Sequence, residues 1–343
     1  MANPTITELA KLAGVSIATV SRCVNSPEKV GKKTLARVRK IIEETNFSPN
    51  ALAQNFRRGK TNIILVIIHD VGNPLFSAIL EGVRLALAGR YSIILTEAGP
   101  HGPTGETVLG MLVARQVEGV ILLCAPLPFS RKIVEMSRAR RLPIVIGLEP
   151  LSDDLSGLPN VHIDNFRAAH EATSYLISLG HKNIVFVSGP KNSLVTRDRE
   201  AGFLSAMRDG GLEVDKASVR YSDLSVNGGL NAANEIFAGL FTGSALPTAI
   251  FCANDDMALG VLSSAARHHI PVPGQLSLMG FDDTCYAAVS TPALSTVSQP
   301  ARDIGIRAAE RLLQAIEMQG DHGPANEILP HRLVVRQSTR AIP

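Results

Sequence analysis

From Thr61 onward, seven short apolar runs, "NIILVII", "YSIILT", "GVILLC", "LPIVIG", "NIVFVSG", "PTAIFCA" and "LSLMGF", alternate with stretches of helical period. Short aliphatic runs bounded by Gly, Pro or Asn read as strands buried on both faces. Strands separated by helices pair in parallel, because each helix returns the chain to the same end of the sheet. The chain is thereby committed to an α/β body of βα units. One compact sheet would not hold all of these strands, and a restart near Val161 to Asp164 predicts two lobes of similar plan. Length agrees, since 343 residues at 45% hydrophobic content exceed what one core organises.

The first sixty residues follow another rule. In "TITELAKLAGVSIATVSRCVN", Thr5 and Glu8 stand in the S/T-x-x-E spacing that lets each side chain satisfy the other's free backbone donor, so a helix starts there. Ile6, Leu9, Ala10 and Ala13 form its buried stripe, Gly14 stops it, and Ser16 caps a second helix. On that second helix Val20 and Val24 close onto the first, leaving Ile17, Ala18, Ser21, Arg22 and Asn25 outward. A third helix, about Lys32 to Glu44, adds Leu35, Val38, Ile41 and Ile42, with Gly31 as a weaker cap. Two helices joined by a short Gly-containing turn make either a plain helical hairpin or a helix-turn-helix, whose second helix enters the DNA major groove. Charge favours the second. Residues 1–60 carry eleven Lys/Arg against four Asp/Glu, a net +7, whereas the remaining residues carry 23 against 27. Such concentrated basic charge is an electrostatic footprint for phosphate.

The set "GVSIATVSRCVN", "FSPNALAQNF", "CANDDMALG", "LSLMGFDD" and "STRAIP", in that order over essentially the whole chain, resembles the LacI/GalR family of bacterial transcription regulators. The resemblance implies a small all-α helix-turn-helix head (1–49), a hinge helix and linker (50–60), and a two-lobed periplasmic-binding-protein-like body with parallel sheets (61–343). It places the N-lobe at about 61–162 and 292–320 and the C-lobe at about 163–291 and 321–340, with the chain recrossing near Thr291-Pro292 and Gln319-Gly320. It implies a homodimer on palindromic double-stranded operator DNA, the dimer surface running along the first lobe and including a helix from Pro74 to Leu87. The DNA-contacting set is Thr5, Ser16, Ile17, Ala18, Thr19, Ser21, Arg22, Asn25, Lys32, Lys33, Asn50, Ala53, Phe56 and Arg57. Ile17, Ala18 and Arg22 are expected at base edges and Lys32, Lys33 and Arg57 at phosphates. Asn50 to Arg58 is too short a helix to persist alone in water, and Phe56 stands at the position of an apolar minor-groove wedge, where Leu is usual.

In the body, ligands bind where loops converge beyond the carboxyl ends of the strands. Asp282 follows "LSLMGF" and can accept from ligand hydroxyls; Arg199 in "TRDREAGF" can donate a fork of hydrogen bonds. The resemblance adds Asn254, and it places Phe76 against the effector's ring with Asp70 and Asn73 beside it. Asp255 reads as the cap of the helix "MALGVLSSA". Many family members carry a polar effector ligand at Leu148, so either Glu149 substitutes or the pocket is more apolar there. The loop Lys191 to Arg197 aligns with no family pattern. The implied effector is a small polyhydroxylated molecule, a nucleoside first and a sugar or sugar acid as the alternative. Whether it releases or strengthens DNA binding is left open, since both signs occur in the family.

No GxxxxGK, GxGxxG after a strand, GxSxG or HExxH occurs, and the nine histidines show no ligand spacing, so neither an enzyme nor a metal or other cofactor is expected. The pairs Asp153-Asp154, Asp255-Asp256 and Asp282-Asp283 point opposite ways on extended backbone and make poor acid/base partners. A transport-type solute-binding protein would share the body but needs export and has no use for a basic head. "MANPTITE" lacks the pattern of a signal peptide and no run is long enough to span a membrane, so a cytoplasmic protein, on the nucleoid when bound to DNA, is expected. Cys23, Cys124, Cys252 and Cys285 show no metal spacing and are expected as reduced, mostly buried thiols. No apolar heptads follow "STRAIP", which argues for a dimer rather than a tetramer.

Overall fold

The computed structural model describes residues 5–25, 27–45, 47, 61–99, 102–124, 131–149, 157–215, 217–238, 246–318 and 326–342. The chain divides into two compact units, Met1–Thr61 and Asn62–Pro343.

Among the described residues the first unit has three α-helices, α1 (Ile6–Ala13), α2 (Ile17–Asn25) and α3 (Lys32–Thr45). The capping box forms: Thr5 N donates to Glu8 Oε2 at 2.7 Å, and Glu8 N donates to Thr5 Oγ1 at 3.3 Å. Gly14 takes the left-handed conformation, φ +60°, that closes α1 and that a side chain would resist. Ser16 Oγ accepts from Thr19 N at 3.1 Å and starts α2. Leu9, Ala10, Ala13, Val20, Cys23 and Val38 form the buried core, with Ile6, Leu35, Ile41 and Ile42 packed at its edge.

The second unit is built on two six-stranded sheets. The first contains β1 (Ile63–Ile68), β2 (Ser92–Glu97), β3 (Gly119–Leu123), β4 (Ile144–Gly147), β5 (Asn160–Ile163) and β11 (Asn326–Leu329), in the order β11-β5-β4-β3-β1-β2, all parallel. The second contains β6 (Ile184–Ser188), β7 (Val219–Tyr221), β8 (Ala249–Cys252), β9 (Ser277–Asp282), β10 (Ser295–Ser298) and β12 (Arg332–Val334), in the order β12-β10-β9-β8-β6-β7. Only the β10–β12 pair is antiparallel among them. The central strands are wholly buried, which is why they read as unbroken apolar runs; edge strand β2 is exposed at four of its six positions. In the first lobe α4 (Pro74–Leu87) and α12 (Ala301–Glu317) meet backbone to backbone. A Cβ at Gly82 would lie 2.0 Å from the Arg302 carbonyl oxygen, and one at Gly305 2.0 Å from that of Ile79. Only glycine permits this approach.

The chain changes lobes three times, and two of these places differ from expectation. It leaves the first sheet after Ile163 and enters the second lobe through the helix Asn165–Ser178. It returns at 299–300, between β10 and α12, rather than near Thr291-Pro292, because Ser295–Ser298 forms a full strand of the second sheet before crossing. Gln319-Gly320 lies outside the described residues. The third crossing falls at 330–331, since β11 pairs with β5 in one sheet and β12 with β10 in the other. Residues 292–298 and 326–329 thus belong to the lobes opposite to those expected. The apolar period of β10 and β11 is too short to carry that information; only the pairing shows it.

Candidate functional site

Loops beyond the carboxyl ends of both sheets converge on a cleft whose open space, solvent at its mouth included, is about 670 Å³. Asp70, Asn73, Phe76, Glu149, Arg199, Asn254 and Asp282, scattered over 213 residues of sequence, all line it. They reach it from the ends of strands or the first two turns of helices. Asp70 follows β1, Glu149 follows β4, Asp282 ends β9, and Arg199 lies on the helix Leu194–Asp209.

Arg199 and Asp282 form the floor. They are 4% and 5% exposed, with Nη1 3.6 Å from Asp282 Oδ1. The guanidinium also donates from Nε to Asn165 Oδ1 at 2.9 Å and from Nη1 to the Ala253 carbonyl, and it lies 3.6 Å over the Phe281 ring. A buried cation survives only with such partners. Asp282 accepts from Gln299 Nε2 at 2.7 Å, so the crossing segment holds the pocket carboxylate directly. Burial pushes the Asp282 carboxyl up to about 6, against the opposing pull of Arg199; burial likewise lowers Arg199, with Asp282 opposing. Asp282 and Asp283 both adopt positive φ, +115° and +58°, a strained turn for non-glycine residues. The turn sends the neighbours apart: Asp283 accepts from Arg336 Nη2 at 2.6 Å.

Asn254 lines the cleft as expected, but the helix cap expected at Asp255 falls to Asn254 as well. Asn254, not Asp255, caps the helix Asp255–Arg267, accepting from Met257 N at 2.9 Å while its Nδ2 donates to the Leu224 carbonyl at 2.8 Å. Asp255 is fully buried behind the cleft, accepting from Thr284 N at 2.7 Å and from Thr296 Oγ1 at 2.6 Å. It therefore ties together three segments of the second lobe. Burial, and then the charge of Asp282, raise it to about 8.

The remaining wall is mixed. Phe76 lines the cleft yet is 5% exposed and packs into the first-lobe core with Leu75 and Ile79. Leu148 is also on the lining, buried at φ +71°, and Glu149 stands beside it, so that side is both apolar and acidic. Not anticipated were His69, Leu75, Ser193, Val195, Thr196, Asp223, Leu224 and Ser225. A signal existed for some. Ser193 and Thr196 have the spacing of a cap, and Ser193 Oγ accepts from Thr196 N at 3.4 Å. Asp223 Oδ1 likewise accepts from Ser225 N and Oγ at 3.0 and 2.7 Å ahead of the helix Val226–Ala238.

In the head, Ile17, Ala18 and Arg22 are exposed on α2, Ser21 is half-buried, and Ser16 and Thr19 hydroxyls are 2.9 Å apart. Thr5 is exposed at its cap, and Lys32 and Lys33 are exposed at the amino end of α3. Asn25 is the last residue of α2. Asn50, Ala53, Phe56 and Arg57 lie outside the described residues. Among the described residues the cysteines are free, with Cys23, Cys124 and Cys252 buried and Cys285 exposed, no group of three or more His, Cys, Asp or Glu could hold a metal ion, and no helix is long and apolar enough to cross a membrane.

A basic three-helix unit and a two-lobed α/β unit enclosing a small-molecule cleft define the class of ligand-responsive DNA-binding regulators. Comparison with known proteins agrees. The profile "Bacterial regulatory proteins, lacI family" matches residues 5–50, and "Periplasmic binding protein-like domain" matches 173–339. The HTH-type transcriptional repressor CytR of Escherichia coli K12 is 35% identical over 341 residues, 99% of this chain and 97% of the relative. The lac repressor dimer bound to operator and the anti-inducer ONPF superposes with a TM-score of 0.82 at 26% identity, over 99% and 100% of the two chains. A LacI family regulator of Enterococcus faecium with bound ribose gives 0.71 at 26%, over 82% and 100%. The chain belongs to the LacI family, DNA-binding transcriptional regulators with a ligand-binding domain.

Proposed function

We propose that this chain is a repressor whose affinity for a palindromic operator is set by a small polyhydroxylated effector, a nucleoside, bound between the lobes. The observation that carries the reading is the buried Arg199–Asp282 pair beside an apolar wall of Leu75, Phe76, Leu148 and Leu224 in one cleft. The pair supplies a donor and an acceptor for ribose hydroxyls, and the wall suits the face of a ring. A free sugar is the second reading, favoured by likeness to the ribose-bound regulator.

The protein acts as a homodimer on this reading, because one head spans too few base pairs and a two-fold dimer matches a palindrome. Leu85 on α4 and Ile94 and Leu95 on the sheet-edge strand β2 are exposed apolar side chains that a second first lobe would cover. Operator reading falls to Arg22, Ile17 and Ala18, with Lys32 and Lys33 on phosphate. Phe56 acts as the minor-groove wedge of the hinge, supported by its place in the family pattern.

The test is thermal unfolding of the full chain against the four ribonucleosides, ribose and hexoses. A compound bound at a hundred times its dissociation constant adds about 2.7 kcal/mol of stability. A shift with one of them that Asp282→Asn removes supports the reading. No shift with any places the effector outside this chemical class.

A further inference from the structure

A second cavity is lined by the start of α4, the turn at 282–285 and the return crossing with the first turn of α12 (299–303); its open space, solvent at its mouth included, is about 870 Å³. Of its lining only Leu75 and Asp282 also line the effector cleft. Gln299, on this lining, is 5% exposed. Its Nε2 is committed to Asp282 Oδ1 at 2.7 Å, which leaves Oε1 buried with no hydrogen-bond partner among the described residues. A buried acceptor without a donor is rare in native proteins, because its lost hydration is not replaced. Next to it α12 starts with no side-chain cap. The Ala301 amide bonds the Gln299 carbonyl at 2.8 Å, and the Arg302 and Asp303 amides, of residues also on the lining, find no acceptor among the described residues. The first turn of a helix offers such donors to whatever occupies the space before it. Pro74, Leu75, Ala78 and Pro300 supply an apolar wall.

We infer that this hinge cavity is a second small-molecule site, separate from the effector cleft, for a neutral ligand that carries a donor and an acceptor side by side on a small apolar body, namely a primary amide or a lactam. The N–H of such a group answers Gln299 Oε1, and its carbonyl answers the open amides of α12. A carboxylate would serve the helix end but bring a second acceptor against Oε1. Water satisfies a single acceptor and leaves the apolar wall unfilled. Cys285 gives the site a reporter, since it lines the cavity and is exposed, whereas Cys23, Cys124 and Cys252 are buried.

The experiment follows the rate at which an aromatic disulfide reagent labels Cys285 in the native full-length protein, with and without millimolar acetamide, 2-pyrrolidone, 2-pyridone and uracil, and with acetate as the carboxylate control. The expected result is that at least one amide or lactam slows labelling saturably and acetate does not. Gln299→Met keeps the volume and loses the acceptor; it should raise the half-saturating concentration about three- to tenfold, the worth of one hydrogen bond. Ser77→Trp fills the cavity from an exposed position on α4 and should abolish the effect while unfolding in urea like wild type. A crystal soaked with the protecting compound should show it on Gln299 Oε1. No protection by any of the four, equal protection by acetate, protection that persists in Ser77→Trp, or an unchanged half-saturating concentration in Gln299→Met overturns the site. So does a soaked crystal with ordered water alone at Gln299 Oε1.

Discussion

Asn73 joins the two lobes: its Nδ2 donates to Asp256 Oδ2 at 3.1 Å, while its Oδ1 accepts from Leu75 N at 2.9 Å and caps α4. One side chain thus starts a helix in the first lobe and holds the first turn of a helix in the second. Two substitutions separate these jobs. Asn73→Ser keeps a capping oxygen but is too short to reach Asp256, whereas Asn73→Ala loses both. In urea unfolding, Asn73→Ala should cost about 1 kcal/mol and Asn73→Ser a few tenths. Both should weaken effector binding alike, by roughly three- to tenfold, the worth of one net hydrogen bond. Equal stability of the two variants would remove the capping role, and unchanged effector affinity the lobe-joining one.

Arg199 should prove structural as well as ligand-facing. Removing its side chain leaves Asp282 as an uncompensated buried charge and Asn165 Oδ1 without its donor. Arg199→Ala should therefore destabilise by about 3–5 kcal/mol. Lysine is no rescue, since an ammonium cannot serve Asn165, Ala253 and Asp282 together while lying flat on Phe281. Arg199→Lys that unfolds like wild type in urea would show that the planar fork is dispensable.

The parts of this molecule legible in the sequence are those decided locally. The capping box at Thr5 and Glu8, the stop at Gly14 and the buried runs of the central strands each depend on residues within one turn or one strand. Among the effector candidates, Asp282 follows from the convergence of strand ends in an α/β body, whereas Asp70, Asn73, Phe76 and Asn254 rest on the family resemblance. What escaped depends on distant partners. Adjacent Asn254 and Asp255 are both competent caps, and the choice between them follows from Thr284 and Thr296, which claim the Asp255 carboxylate from 29 and 41 residues away. The lobe crossings at 299–300 and 330–331 are set by pairing of the short strands β10, β11 and β12, whose own patterns favour neither sheet. Ser193 and Thr196 fall in the segment Lys191 to Arg197 that reads as a loop, whereas they are the cap and first turn of the helix Leu194–Asp209, as their spacing allows.

For the head, the net +7 of residues 1–60 predicts a steep salt dependence. Log affinity for operator should fall almost linearly with log salt, by about 0.9 per phosphate neutralised, and Lys32→Ala, which removes one contact from each head of the dimer, should reduce that slope by about two without altering base preference. Arg22, exposed on α2, should do the reverse. Arg22→Ala should relax discrimination at one position of each half-site by about 1–3 kcal/mol, read by binding to a library of single-base operator variants. A uniform loss over all variants would make Arg22 a phosphate contact.

Asp255 sets the pH dependence of folding. Its carboxyl is raised to about 8 by burial and by Asp282, so between the ordinary carboxylate range and that value the native protein holds a proton that the unfolded chain has released. Stability from this group is complete below the unfolded value and is lost as pH rises through about 8. Asp282 contributes the same sign but only up to about 6, which leaves the interval from pH 6.5 to 8.5 to Asp255. Asparagine reproduces the protonated form: its carbonyl can accept from Thr284 N and its amide can face Thr296 Oγ1. Wild type should lose about 1–2 kcal/mol across that interval, and Asp255→Asn should lose little. Urea unfolding at four pH values decides it. A variant that keeps the wild-type slope would mean that Asp255 is ionised in the folded protein at neutral pH, with Thr284 and Thr296 sufficient to hold its charge.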